Sequence, residues 1–380
     1  MELTRPSFDE RELDLVKECL ASGWVTQGPM VQRFEALMAA EHAVDFALAT
    51  TSCTAALHLA AMALELGPGD EVLVPAFTWV TSAHSIAYVG ADPVFVDIDL
   101  DTYNIDIAAL EGAISDRTRA IMAVHLFGLP CDMAPLLAIA KRHGLLVIED
   151  AACAVGSRYR GQPVGGIGDV GCFSFHPRKV ITTGEGGMVT TRSESVARRV
   201  ASLRNHGATG LPSGTGPNDP WAMSTFDNLG YNLRMSDIQA AIGVAQMAKL
   251  NGLITHRRRQ AGLYDEALTG FDWLVTPGEP EYALHTYQSY VVRLADGDVT
   301  DRNAIMMSLA DRGIQTRPGT HAVPDLGYYK RRAPSSEGRW PMARQAQDMT
   351  ITLPLFPAMT EGDVGKVVQA LVSARDSSRP

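Results

Sequence analysis

An α/β fold around a mainly parallel sheet is what this sequence predicts, and three observations carry the prediction. Short apolar runs alternate with helical patterns from residue 44 to residue 150, the order expected of βαβ units. Residues 145–150 (LLVIED) form a near-continuous apolar run, which marks a strand covered on both faces. The chain has 380 residues, enough to bury a large core and more in keeping with two subdomains than with one unit.

Composition narrows the function. Hydrophobic residues make up 46% and charged residues 20%, an ordinary globular balance. A formal net charge of -10 argues against a general nucleic-acid binder, because phosphate contacts need clustered positive charge. The basic runs 256–259 (HRRR) and 330–332 (KRR) read as solvated faces. Five cysteines (19, 53, 131, 153 and 172) are odd in number and widely spaced, with no Cys-x-x-Cys pair. That excludes a disulfide framework or a zinc motif of the usual spacing and suits a reducing compartment. The opening MELTRPSFDERELDLV lacks the apolar centre of a signal peptide, and no run approaches the ~20 apolar residues of a membrane helix. The expectation is a cytoplasmic protein with no metal, membrane or nucleic-acid partner.

Taken in order, residues 8–21 read as an amphipathic helix with Leu13, Val16 and Leu20 on one face, and 30–40 as a second helix. Between them Gly23-Trp24-Val25-Thr26-Gln27-Gly28-Pro29 is a turn segment closed by Gly-Pro. A strand at 44–49 leads through Thr50-Thr51-Ser52-Cys53-Thr54 into an alanine-rich helix at 54–66. Such a junction offers free backbone N–H groups and the positive dipole end to an anion. Plain N-capping accounts for the same hydroxyl residues. Residues 67–70 turn, 71–76 form a strand, and Phe77-Thr78-Trp79 leads into a helix reaching Tyr88. An aromatic at a strand's C-terminal end can stack on a planar ring or pack in the core. Strands follow at 92–99 and 119–126, and Asp106 and Asp132 stand as N-caps for helices 107–114 and 133–143.

The strand at 145–150 ends in Glu149-Asp150. Side chains alternate along a strand, so only one of these carboxylates can face the crevice where α/β sheets bind ligands. Gly165-Gly166-Ile167-Gly168 follows turn residues and opens no helix, so it reads as a plain loop. Farther on come a helix at 194–204 and a polar loop at 207–220, of a length usually functional or mobile. A long helix is expected from Asp237 to about residue 267. The rest alternates short strands (289–294) with helices (300–312 and 361–374), with a strand also expected just before Arg317.

The chemistry centres on residues 171–191, GCFSFHPRKVITTGEGGMVTT. Two apolar stretches bracket a turn-rich polar loop with one lysine. Of six lysines, Lys17, Lys141, Lys249 and Lys366 sit in helical patterns and Lys330 in a basic surface run. Only Lys179 lies between two candidate core strands. A lysine held against a buried sheet loses hydration, which should lower its pKa and make it a better nucleophile toward an aldehyde. Ser174 alternates with Phe173 and Phe175, so its hydroxyl faces the other side.

This segment resembles the lysine loop of the DegT/StrS-type sugar aminotransferases. The likeness runs from about Ser22 to about Thr360 and takes in 23–29 (GWVTQGP), 149–152 (EDAA), 230–235 (GYNLRM), 317–318 (RP) and 353–357 (LPLFP) in the family's order. It implies an aspartate-aminotransferase-like fold (PLP fold type I). A large domain at 1–250 would carry a mainly parallel seven-stranded sheet, with a smaller α+β C-terminal domain at 251–380. The implied cofactor is pyridoxal 5'-phosphate (PLP), joined to Lys179 as an internal aldimine. Dehydratase relatives carry histidine there, so lysine favours transamination. The resemblance puts Thr54, Ala55 and Ser174 on the phosphate, Asp150 on the ring nitrogen, Trp79 against the ring and Cys153 near the ring oxygen. It gives Asn232 to the phosphate of a partner subunit's PLP, which implies a homodimer with shared sites. Thr26, Arg317 and His321 fall on the substrate side. The implied reaction is a ping-pong transfer from glutamate or glutamine to a nucleotide-linked ketosugar, first of all a 4-keto-6-deoxyhexose. A keto-cyclitol or other cyclic ketone is the alternative acceptor. A non-catalytic PLP-binding regulator is the alternative outside enzymes, but no helix-turn-helix segment or basic patch is evident.

Overall fold

Seven strands make one sheet in a computed structural model that describes residues 1–213, 215–216, 219–332 and 338–378. Numbered along the chain, they are β1 (Phe46–Thr50), β2 (Glu71–Pro75), β3 (Asp92–Val96), β4 (Thr118–Val124), β5 (Leu146–Asp150), β6 (Val170–Ser174) and β7 (Gly187–Thr191). Their spatial order is β1-β7-β6-β5-β4-β2-β3. Neighbours from β6 to β3 pair in parallel, and β7 alone runs against both its neighbours. The predicted mainly parallel seven-stranded sheet is present.

The apolar runs explain why it is buried on both sides. Leu73 of β2 and Val147 of β5 point into one core cluster, while Val72, Val74 and Ile148 point into another. The first layer is closed by α2 (Pro29–Glu41), through Val31, Phe34 and Met38. The second is closed by α3 (Cys53–Ala63) and α4 (Thr81–Tyr88), through Leu57, Ala60 and Ile86. Each fully buried aliphatic or aromatic side chain contributes roughly 1.5–3 kcal/mol. A separate three-stranded antiparallel sheet, β8 (Leu274–Val275), β9 (Tyr290–Leu294) and β10 (Thr350–Leu353), packs on helices Val299–Asp311 and Glu361–Ser378 around a third cluster. Helix Leu250–Leu268 joins the two parts. Leu250 and Leu253 sit in the first cluster, and Tyr264 and Leu268 in the third.

Several expectations need correction. The helix expected from 237 to 267 is two, Asp237–Met247 and Leu250–Leu268. At the break Lys249 turns inward, pairing with Glu12 and donating to the Ser7 carbonyl at 3.0 Å. The first helix (Glu10–Ser22) buries Glu12 and Cys19, and its apolar Leu13 and Leu20 are 63% and 56% exposed. Helix 107–114 is α-helical only to Leu110 and then tightens into a 3-10 turn. No strand precedes Arg317. It follows the turn after helix Val299–Asp311 and makes a lone bridge to Thr352. Loop 207–220 opens with a short strand, Ala208–Gly210, paired with Thr225–Phe226. Gly214, Pro217 and Asn218 of that loop lie outside the described residues.

Two buried histidines set an acid limit on this fold. Burial pushes His42 and His285 down to about 4 from an ordinary 6.5. The unfolded chain protonates both near 6.5 while the folded one does not. Stability is therefore complete above that value and falls as pH drops toward 4, by on the order of 3 kcal/mol per histidine. His42→Gln, which can still donate to the Val164 carbonyl that His42 Nδ1 meets at 2.7 Å, should flatten the fall of melting temperature across this window. An equally steep fall in the variant would contradict this account.

Candidate active site

The C-terminal ends of the parallel strands open into a cavity of about 440 Å³, within the usual range for small-molecule sites. Asp150 is the last residue of β5, paired with Val124 on one side and Cys172 on the other. It lines the cavity and is 5% exposed. Its Oδ2 accepts from Ser82 Oγ at 2.6 Å and its Oδ1 from the Ala152 N–H at 3.2 Å. Of the two adjacent carboxylates, Asp150 is the one facing the cavity.

Glu149 turns the other way, and residues 165–168, which form a loop that opens no helix as expected, wrap its carboxylate. The N–H groups of Gly165, Ile167 and Gly168 donate to its carboxylate at 2.7, 2.8 and 2.7 Å. His125 Nε2 adds a fourth contact at 3.0 Å. The Cys131 N–H occupies His125 Nδ1, so a neutral ring carries its proton on Nε2 and donates it to Glu149. Burial pushes the Glu149 carboxyl up, but His125 and the loop N–H groups outweigh that and hold it below its ordinary value. Gly165 has φ +83°, and a Cβ there would collide with the Phe173 ring, so the loop needs glycine.

Lys179 sits in the loop between β6 and β7, which closes on itself through Phe175 N–H to the Gly186 carbonyl and Thr183 N–H to the Phe175 carbonyl. Its Nζ reaches Cys153 Sγ at 3.1 Å. Here the structure reverses an expectation. Burial does push the ammonium down, but Cys153, Cys53 and the Asp150 carboxylate together raise its pKa above the ordinary lysine value. The cofactor-free chain therefore holds this amine as an ammonium.

At the start of α3, Ser52 is the N-cap and its Oγ takes the Ala55 N–H at 3.1 Å. Thr54 is exposed and lines the cavity, as does Ser174, whereas Ala55 is buried and does not. Gly187 of β7 passes directly beneath, and a Cβ there would strike the Ser52 backbone. Trp79 lines the cavity with 52% of its surface exposed, its ring 5.7 Å from that of His321. Arg317 also lines it, half-buried and with no carboxylate partner among the described residues. Burial and the neighbouring Arg178 both depress its pKa, a strained arrangement for two cations.

Besides Ala55, three predicted residues stand apart from this cavity. His321 pairs with Thr78 in a short ladder outside the lining. Thr26 is exposed, in a segment fixed by the Asp237 carboxylate, which accepts from Gly28, Met30 and Val31 N–H at 2.8, 3.1 and 3.0 Å. Asn232 is exposed and bridges to Asn205. Conversely, sequence reasoning missed Ser82, Arg178 and the Glu149–His125 pair. Only Ser82 left a trace, three residues past Trp79 in the first turn of a helix.

A helix start with a serine hydroxyl, an aromatic face, a fixed carboxylate and an amine share this cavity. That donor set fits a phosphorylated pyridine aldehyde, and with the sheet topology it defines a fold type I PLP enzyme. The chain belongs to the DegT/DnrJ/EryC1/StrS aminotransferase family, which it matches over residues 6–372. It is an aminotransferase, and PLP is its cofactor. It is 41% identical over 370 residues to the GDP-perosamine synthase of Caulobacter vibrioides, covering 96% of each chain. Spr1654 from Streptococcus pneumoniae, solved in its PMP form, superposes with a TM-score of 0.94 at 29% identity, with all of both chains covered. DesV of S. venezuelae, solved in complex with a ketimine intermediate, gives 0.87 at 32% identity, covering 98% of this chain and 95% of DesV.

Proposed function

We propose that this chain moves an amino group from glutamate or glutamine to the keto group of a nucleotide-linked sugar, a 4-keto-6-deoxyhexose, in two ping-pong half-reactions. The observation that carries this is the meeting of Lys179, Asp150, Ser174 and the α3 start in one cavity. The relation to a GDP-perosamine synthase supports a nucleotide-linked acceptor. Bound here, PLP supplies an electron-withdrawing ring that stabilises negative charge on the substrate carbon. The chain's own residues do the rest. Ser174 and the N–H groups beside Thr54 hold the phosphate, Trp79 covers a ring face, and Asp150 keeps the ring nitrogen protonated. Cys153, whose Sγ is 3.1 Å from Nζ, would stand near the ring oxygen of the bound cofactor. Lys179 Nζ takes the proton from the donor carbon and returns one to the acceptor side.

Arg317 and Arg178 favour an amino-acid donor. The Arg317 guanidinium, pushed down by burial and by the neighbouring Arg178 and without a carboxylate partner among the described residues, leaves room for a carboxylate from outside. Exposed apolar side chains Leu13, Leu20, Trp24, Leu37, Trp221 and Leu229 support a homodimer, in which Thr26 and Asn232 reach the partner's cavity. His321, beside Trp79, meets the sugar. The large and small domains divide at residue 250, and the chain works in the cytoplasm. No helix among the described residues is long and apolar enough to cross a membrane.

Purified enzyme incubated with glutamate and a panel of nucleotide ketosugars should show the aminated product by mass. Arg317→Leu should raise the donor KM by about 10- to 100-fold. Amination of cyclitol ketones alone would end the sugar assignment, and an unchanged donor KM would end the role given to Arg317.

A further inference from the structure

A carboxylate at the end of a strand can rotate about two torsions, and Asp150 does not. Oδ1 is held by the Ala152 N–H, and Oδ2 accepts from Ser82 Oγ at 2.6 Å, a length in the charge-assisted range. A serine hydroxyl has one proton to give. Since Ser82 gives it to Asp150, the 2.9 Å contact between Ser82 Oγ and Thr78 Oγ1 must have Thr78 as the donor. Thr78 is fixed in turn, its backbone paired with His321 and its carbonyl accepting from Thr320 Oγ1 at 3.0 Å. Thr78 and Ser82 are 1% and 0% exposed, so water does not compete for these bonds.

The same helix shows what an ordinary serine does. Ser85 Oγ bonds back to the Ser82 carbonyl at 3.1 Å, a common use of helical serine. Ser82 forgoes that bond, and it is not the cap of its helix, whose N-cap is Val80. Its hydroxyl is committed to Asp150.

We propose that Ser82 is a positioning residue for transamination: its hydroxyl, aimed by Thr78, sets the angle at which the Asp150 carboxylate meets the ring nitrogen of the bound cofactor. This rests on the Asp150 assignment above. It also ties that angle to the segment carrying Arg317, Thr320 and His321, because the hydroxyl chain begins where that segment pairs with Thr78.

The test is a spectroscopic titration of the PLP-loaded enzyme. A protonated ring nitrogen withdraws electrons and lowers the pH at which the cofactor-linked Lys179 nitrogen gives up its proton. Asp150→Ala should therefore move the titration of the visible band to higher pH. Ser82→Ala should move it the same way by less and lower kcat about tenfold with the donor KM nearly unchanged. Ser82→Thr should restore both. Wild-type behaviour in Ser82→Ala beside a shifted Asp150→Ala would overturn the role of Ser82 and leave the Asp150 assignment standing. An unshifted Asp150→Ala would overturn that assignment and the inference with it. If Ser82→Ala does not fold, Thr78→Val removes the donor that aims Ser82. A shift to higher pH there supports the proposal, and a wild-type titration overturns it.

Discussion

Lys179→Ala should lower kcat for amino transfer by at least about a thousandfold. Among the described residues no other lysine lines the cavity, so no neighbouring amine takes its place. The substitution removes both the group that holds the cofactor and the base that moves the proton, and general-base catalysis alone is worth roughly 10²–10⁴. The ammonium of the cofactor-free chain adds a pH signature. Its pKa is raised, so the nucleophilic amine is scarce at neutral pH and grows as pH increases. PLP uptake by the cofactor-free enzyme should therefore accelerate with rising pH, and the visible band should be lost in Lys179→Ala. Single-turnover kinetics with glutamate would measure the first effect, and stopped-flow absorbance the second.

Glu149→Ala should destabilise the fold by roughly 3–5 kcal/mol, the scale of breaking a buried, fully bonded charge. The substitution strands three backbone N–H groups and the His125 Nε2–H, of which His125 and the Gly165 N–H are buried. It also frees the loop that pins the end of β5, one residue from Asp150. The pH dependence has a definite sign. The Glu149 carboxyl is held below its ordinary value near 4.5, so its stabilisation is complete above that value. It is lost as pH falls through the lower, folded value. Urea unfolding should show the wild type losing stability in this acid range and Glu149→Ala starting low and losing less.

Much of this was readable from the sequence, for physical reasons that also mark where reading stopped. The parallel sheet was legible because its strands are apolar on both faces. The place of Asp150 was legible because it ends a strand, where side-chain alternation leaves few directions, and that of Lys179 because it alone of the six lysines lies in a loop between two core strands. That Glu149 faces away from the crevice followed from side-chain alternation, but its partners were not legible, because they are backbone N–H groups of a glycine loop more than fifteen residues away. The shift of Lys179 was expected downward from burial alone, and Cys153 and Asp150 reversed it. The first helix looked amphipathic with its apolar face inward. Its ion-pairing Glu12 took that place and left Leu13 and Leu20 outside, a choice set by Lys249 some 240 residues later. Ser82 needed coordinates, since one serine in a helix has many uses.

The covalent role of Lys179 is best tested by reducing the PLP-loaded enzyme with borohydride, digesting it and locating the pyridoxyl group by mass. A single label on the peptide carrying Lys179 is the predicted result. A label on any of the other five lysines, or none on a protein that still binds PLP, would contradict it.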